Sequence, residues 1–176
     1  MQNLSQSAQA HWYLIHTKPR EEACAEENLR AQGYQVYVPM LKTAKRRRGK
    51  WVDVIEPLFP RYAFLRLTAY EDNFAPIRST RGVSRWVKFG EKPATVPDEI
   101  IDAIRASQQA NGGAYIERTK TFKKGERVEI IEGALSGVQG IIHCDSGEDR
   151  VILLLNMLGR ETATKVPRDS LVLTED

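Results

Sequence analysis

Cysteine is scarce. The 176 residues hold two, Cys24 and Cys144, far apart and in no CxxC pair. That argues against a disulfide scaffold and against a zinc site, and it fits a reducing compartment, so a cytoplasmic location is expected. Long hydrophobic runs are missing too. No apolar stretch nears the roughly 18 residues that a membrane-crossing helix needs. Residues 1–10 are polar, without the apolar core of a secretory leader, and are expected to form a loose tail. No membrane partner is expected. Histidine is limited to His11, His16 and His143, which are scattered. No His-Cys-Asp set, no paired acids at useful spacing and no phosphate-binding Walker loop can be found. An enzyme, a metal and a cofactor are therefore not expected. Charge of one sign is also in short supply: the net charge is +3, too weak to imply a nucleic-acid partner by itself.

What is present suffices for a core. Hydrophobic residues make up 41% and charged residues 28% of the chain, enough for one ordinary domain or two small ones. The most informative stretch runs from Glu56 to Leu67. Pro57 and Pro60 bracket Leu58-Phe59, and neither proline can donate to a sheet ladder, so these residues read as a tight entry into a strand. From Tyr62 the pattern alternates. Ala63, Leu65 and Leu67 suit a core, while Tyr62, Phe64 and Arg66 share the opposite face. That second face is either another core face under a helix of the same domain or a docking patch for a partner.

Before this stretch, His11–His16 reads as a strand. A helix is expected to open at Thr17-Lys18-Pro19-Arg20-Glu21-Glu22, with Thr17 as its N-cap, and to end at Gly33. Tyr34–Met40 and Trp51–Ile55 read as two strands of a long hairpin. The run Lys42, Lys45, Arg46, Arg47, Arg48 and Lys50 is expected to be the loop between them. That run is either a solvated tip or an electrostatic foot on nucleic acid. After the central strand, Tyr70–Ile77 reads as a short helix broken at Pro76. Arg78, Arg81 and Arg85 follow with Ser79, Thr80 and Ser84 between them, a composition suited to tracking phosphates or simply to a charged surface before a strand at Trp86–Phe89. A helix starts at Pro97-Asp98 with Ile100, Ile101 and Ile104 on one face, and its pattern fails after Ala106. A flexible linker is expected from there to about Thr121. Beyond it, glycine-punctuated short strands at 122–133, 141–142, 151–158, 166 and 171–173 read as a small barrel.

Taken together, Trp12-Tyr13-Leu14, Lys18-Pro19-Arg20-Glu21, Glu56-Pro57-Leu58-Phe59-Pro60-Arg61-Tyr62, Thr80-Arg81-Gly82-Val83 and Gly125-Glu126-Arg127-Val128 with Gly140 resemble the bacterial NusG-type transcription elongation factors. Within that family the resemblance is closest to the specialised RfaH branch. The segment Gly133–Gly140 lacks the aromatic that housekeeping members carry, and Leu153-Leu154-Leu155-Asn156 is similar to RfaH. The resemblance implies an α+β fold: a tail at 1–10, an NGN domain at 11–107 with an antiparallel sheet and helices, a linker at 108–121 and a KOW domain at 122–176. The KOW domain would be a five-stranded β-barrel or, alternatively, an α-helical hairpin.

The resemblance also implies partners and roles. The NGN domain would dock on the clamp helices of RNA polymerase through Tyr62 and Phe64, with Phe59 and Phe89 at the edge. Lys18, Arg20, Arg78, Arg81 and Arg85 would hold the non-template DNA strand. The KOW domain would bind a small-subunit ribosomal protein, coupling transcription to translation. A helical KOW stripe through Val128, Ile131, Leu135 and Val138 would rest on Tyr62, Phe64, Ile101 and Ile104, with Glu56 and Arg150 as an interdomain ion pair. A monomer is expected. The alternatives are a housekeeping NusG-like factor, which would contact the termination helicase Rho, and a ribosome-associated RNA-binding KOW protein.

Overall fold

The computed structural model describes residues 9–68, 72–118 and 134–159. Its contacts divide into two compact units, one from Met1–Tyr37 with Arg61–Val96, the other from Val38–Pro60 with Pro97–Asp176. Strands and helices mix in an α+β arrangement whose longer strand pairs are antiparallel.

The first unit is built on β1, Ala10–Thr17, in which every residue from Trp12 onward is buried. A strand covered on both faces belongs in the middle of a sheet. It pairs antiparallel with β5, Tyr62–Thr68, placing Leu14 opposite Phe64 and His16 opposite Tyr62. On its other side lie β6 (Val83–Trp86) and β9 (Thr95–Val96). The short β2, Gln35–Tyr37, closes the far edge of β5, with Tyr37 opposite Phe64. The strand expected at Trp86–Phe89 is split at Val87. Its backbone N–H donates to Leu14, and β7 (Lys88–Phe89) then turns into a small ribbon with β8 (Lys92–Pro93).

Helix α1 spans Glu22–Ala31 and buries Glu22, Ala25 and Leu29. It does not start at Thr17, contrary to the sequence expectation. The Thr17 N–H donates to Arg61 O at 2.7 Å and the Lys18 N–H to Gly82 O at 2.9 Å, so sheet bonding carries the chain past the expected cap. Arg20, at φ +61°, then breaks the strand before the helix. Gly33 ends α1 as expected, at φ +91°. The helix expected at 70–77 is absent from residues 72–76. A single 3-10 turn, Ile77–Ser79, follows Pro76 instead.

The second unit holds a β-ribbon and three helices. β3 (Met40–Arg47) and β4 (Lys50–Pro57) pair from Met40↔Pro57 to Arg47↔Lys50. The basic run is therefore strand, not loop. Only Arg48 and Gly49 turn the corner, at φ +49° and +78°. Positive φ at both central residues marks the type I′ turn that suits the twist of a tight hairpin.

Helix α2, Asp98–Gln109, buries Ile100, Ile101, Ala103 and Ile104. It runs on through Ser107, where a flexible linker was expected. The Ser107 hydroxyl donates to Ala103 O, and Gln108 Nε2 donates to Gly113 O. Ile116–Glu117, β10, then pairs in parallel with β3.

Residues 134–158 hold two helices. α3 spans Ala134–His143 and α4 spans Gly147–Leu158. The strands expected at 141–142 and 151–158 are therefore replaced by the helical alternative. In the helical state Arg150, Leu153, Leu154 and Met157 fall on one stripe and are all buried. Ser146 caps the helix, its hydroxyl accepting from the Asp149 N–H at 3.0 Å. In α3, Val138, Ile141 and Ile142 are buried, and the helix packs against α2 and α4. The remaining barrel strands, and Val128 and Ile131, lie outside the described residues. The side chain of Leu135 does too.

Candidate functional site

The first unit contains an aromatic face and a cationic rim. Because directly opposed residues of antiparallel strands share a face, Trp12, Leu14 and His16 of β1 line up with Arg66, Phe64 and Tyr62 of β5. Phe64 stacks on Tyr37, with centroids 6.3 Å apart, and the Tyr62 ring meets His16 edge-on at 4.9 Å. Arg66 lies over the Trp12 ring at 5.8 Å. The four expected docking aromatics differ in exposure. Phe59 and Phe64 are only 2% and 1% exposed, Tyr62 is half-buried, and Phe89 is 42% exposed.

The cations gather where β1 ends and β5 and β6 begin. Lys18 bonds through its backbone to Gly82, Arg85 stands opposite His16, and Arg61 supplies the carbonyl that receives Thr17. Lys18, Arg20, Arg61, Arg78, Arg81 and Arg85 are all exposed. None of them joins an ion pair among the described residues. Arg78 stands a little apart, on the 3-10 turn leading into β6. Arg61 was not among the expected contacts. It follows Pro60 at φ +70°, and its N–H donates to the buried Glu22 carboxylate at 2.7 Å. His16 reports the field of this rim. Burial lowers its pKa, and Arg61 and Arg85 lower it further. Both effects favour the neutral ring, whose Nδ1 is buried without a hydrogen-bond partner among the described residues.

The rim rests on one close approach. A Cβ on Gly82, at φ +89°, would stand 2.6 Å from the Ala25 backbone nitrogen of α1. Only glycine permits both that dihedral and that distance.

The second unit contains a charged latch. Arg150 of α4 has no exposed surface. Its Nη2 donates to Glu56 Oε1 at 2.8 Å, its Nε to Leu58 O at 2.7 Å and its Nη1 to Cys144 O at 3.2 Å. Lys45 Nζ reaches the other carboxylate oxygen of Glu56 at 2.5 Å. A buried guanidinium is tolerated when its donors are satisfied and its charge is paired, as here. Burial pushes the Glu56 carboxyl up, but the bonds and charges of Lys45 and Arg150 outweigh this and hold it below its usual value. The expected pair Glu56–Arg150 is thus formed. Lys45 and the Leu58 carbonyl complete it, and neither was anticipated from the sequence. Ile101 and Ile104 are fully buried in the same unit. A second clamp holds the turn between α3 and α4, where Arg118 Nη2 donates to His143 O and pairs with Asp145. Among the described residues no cluster of His, Cys, Asp or Glu could hold a metal ion, and no helix is long and apolar enough to cross a membrane.

Comparison with known proteins adds to this geometry. A family model described as "Transcription termination factor nusG" matches residues 10–105. The chain is 30% identical over 168 residues to the transcription termination/antitermination protein NusG of Streptococcus pyogenes serotype M1, covering 88% of this chain and 91% of the relative. It is 26% identical over 170 residues to the Bacillus subtilis protein of the same name, covering 89% and 94%. A solved structure described as "Domain interaction in Thermotoga maritima NusG" matches at 24% identity and a TM-score of 0.39, over 69% of this chain and 66% of that one.

Proposed function

Since the chain belongs to the NusG family of transcription termination/antitermination factors, we propose that it acts by binding the transcribing RNA polymerase. The aromatic side of β5, with Tyr62, Phe64, Phe59 and Phe89, takes the clamp helices. Lys18, Arg20, Arg78, Arg81 and Arg85 hold the displaced non-template strand, with Arg61 beside them. The chemistry suits both tasks. Aromatic rings supply contact area at low entropic cost, and unpaired guanidinium groups donate to phosphate oxygens. No covalent step is required, and the effect on pausing and termination comes from binding free energy.

The finer reading is a specialised, RfaH-like factor that rests in a closed form. Its domains are the NGN part at 11–107 and a KOW part at 122–176, joined by 108–121. The observation that carries this reading is the Arg150 latch to Glu56 and Leu58. Phe59, next to Leu58, is buried in the same unit, and a partner could reach it only after a rearrangement. On release, the KOW part refolds as a barrel and binds a small-subunit ribosomal protein. A housekeeping NusG-like role is the second reading, supported by the names that the relatives carry.

Capture of RNA polymerase by the full chain tests closure. Removing one partner of a buried ion pair costs about 3–5 kcal/mol, and a tenfold change in a binding constant corresponds to about 1.4 kcal/mol. Glu56→Ala is therefore expected to raise polymerase capture by at least about tenfold. Tyr62→Ala with Phe64→Ala in that background should abolish it. Equal capture by wild type and Glu56→Ala would leave the housekeeping reading standing.

A further inference from the structure

We propose that the β3–β4 ribbon is a second nucleic-acid site, built for the groove of B-form duplex DNA. It uses none of the rim residues around Lys18 and Arg85 and does not depend on the polymerase reading.

The argument starts from the register. Opposed pairs place Arg46 with Trp51, Ala44 with Asp53 and Lys42 with Ile55 on one face. They place Arg47 with Lys50 and Lys45 with Val52 on the other, and Arg48 sits in the turn. Arg46, Arg47, Arg48 and Lys50 are exposed, and none joins an ion pair among the described residues. Lys45 is occupied by Glu56, and Lys42 lies 5.5 Å above the Tyr115 ring, so both are committed at the base. Within residues 42–55 the one acid is Asp53, exposed on the Trp51 face.

Unpaired cations thus project from both faces of one thin ribbon and from its end. A single strand would meet cations on one face and leave the others in solvent. A groove presents phosphates on both walls, and a ribbon inserted into it would use both faces at once. Dimensions agree. Paired strands lie about 4.8 Å apart, and the major groove of B-DNA is about 12 Å wide and admits a two-stranded ribbon. The major groove of A-form RNA is deep and narrow and does not.

Two exposed apolar groups fit the same occupant. Trp51 is 72% exposed and Ile55 54%. Groove walls of sugars and thymine methyls offer such groups apolar contact. The turn matters as well. Arg48 and Gly49 hold the ribbon closed with just two residues, so the tip cations are fixed rather than carried on a loose loop.

The test is fluorescence anisotropy of the full-length protein with a labelled 20-base-pair DNA duplex, titrated across salt. Wild type is expected to bind with a steep salt dependence. The triple variant Arg47→Ala, Arg48→Ala, Lys50→Ala should weaken binding by about tenfold or more at low salt and reduce the slope of log K against log salt by about 2–3, since each phosphate contact contributes about 0.9. Trp51→Ala should weaken binding severalfold with the slope unchanged. The proposal is overturned if wild type does not bind the duplex, or if the triple variant binds as well as wild type. It is equally overturned if single-stranded DNA or duplex RNA of the same length binds as tightly with the same dependence on the ribbon.

Discussion

Arg150 is a full charge with no exposed surface, and its neighbours make that possible. Each guanidinium nitrogen has an acceptor, and the counter-charge on Glu56 is shared with Lys45. The arrangement ties α4 to the end of β4 through one carboxylate. A pH dependence follows. The Glu56 carboxyl is held below its usual value in the folded chain, so its contribution to stability is complete above the ordinary glutamate range near about 4.3. That contribution is lost as pH falls through the lower, folded value. Methyl NMR signals of Leu153 and Leu154, followed from neutral pH downward, should report loosening of α4 in that acid window. In Glu56→Gln the latch should be weak already at neutral pH, and the acid transition should flatten.

At the scale of elements, α1 lies close against the turn before β6. Gly82→Ala forces a Cβ to 2.6 Å from the Ala25 nitrogen at a left-handed dihedral. The expected cost is about 2–4 kcal/mol, from backbone strain and overpacking together, measured as a lowered urea midpoint. Legibility in the sequence followed the same physics. The β1 strand, the alternation of β5, the glycine stop of α1 and the start of α2 were readable because hydrophobic period, proline and glycine act locally. The start of α1 was misread because Thr17 looks like a cap, and the sheet bonds that hold it as strand come from Arg61 and Gly82, distant in sequence. The basic run looked like a loop because charge usually marks one. Its strand state depends on pairing with β4 and on the two-residue turn. Residues 141–158 carry enough apolar side chains for either structure, and only tertiary contacts decide between them.

The same balance shows across the candidate surfaces. The pair Glu56–Arg150 could be named in advance from family resemblance. Lys45, Leu58 O, Arg61 and Arg118 could not, because a backbone carbonyl or a lone surface cation has no sequence signature. The rim cations could be named from their residue types. Their convergence at one end of the sheet comes from strand order, which no local pattern encodes.

At the scale of the whole molecule, the proposed closed form makes the state of the C-terminal part conditional. Far-UV circular dichroism of the full chain should carry the signal of α3 and α4. An isolated 115–176 fragment, lacking Glu56, Leu58 and α2, is expected to lose that helical signal and give strand. Helix in both would count against refolding on release. One feature of the second unit limits how such a release could occur. The pairing of Ile116 with Leu41, which itself stands opposite Glu56, moors the chain close to where α4 is held, so in sequence only residues 119–133 come between described residue 118 and α3. Over so short a leash the detached hairpin would remain at an effective concentration on the order of millimolar. Dilution therefore cannot open the molecule, and only a competitor for the vacated surface could keep it open.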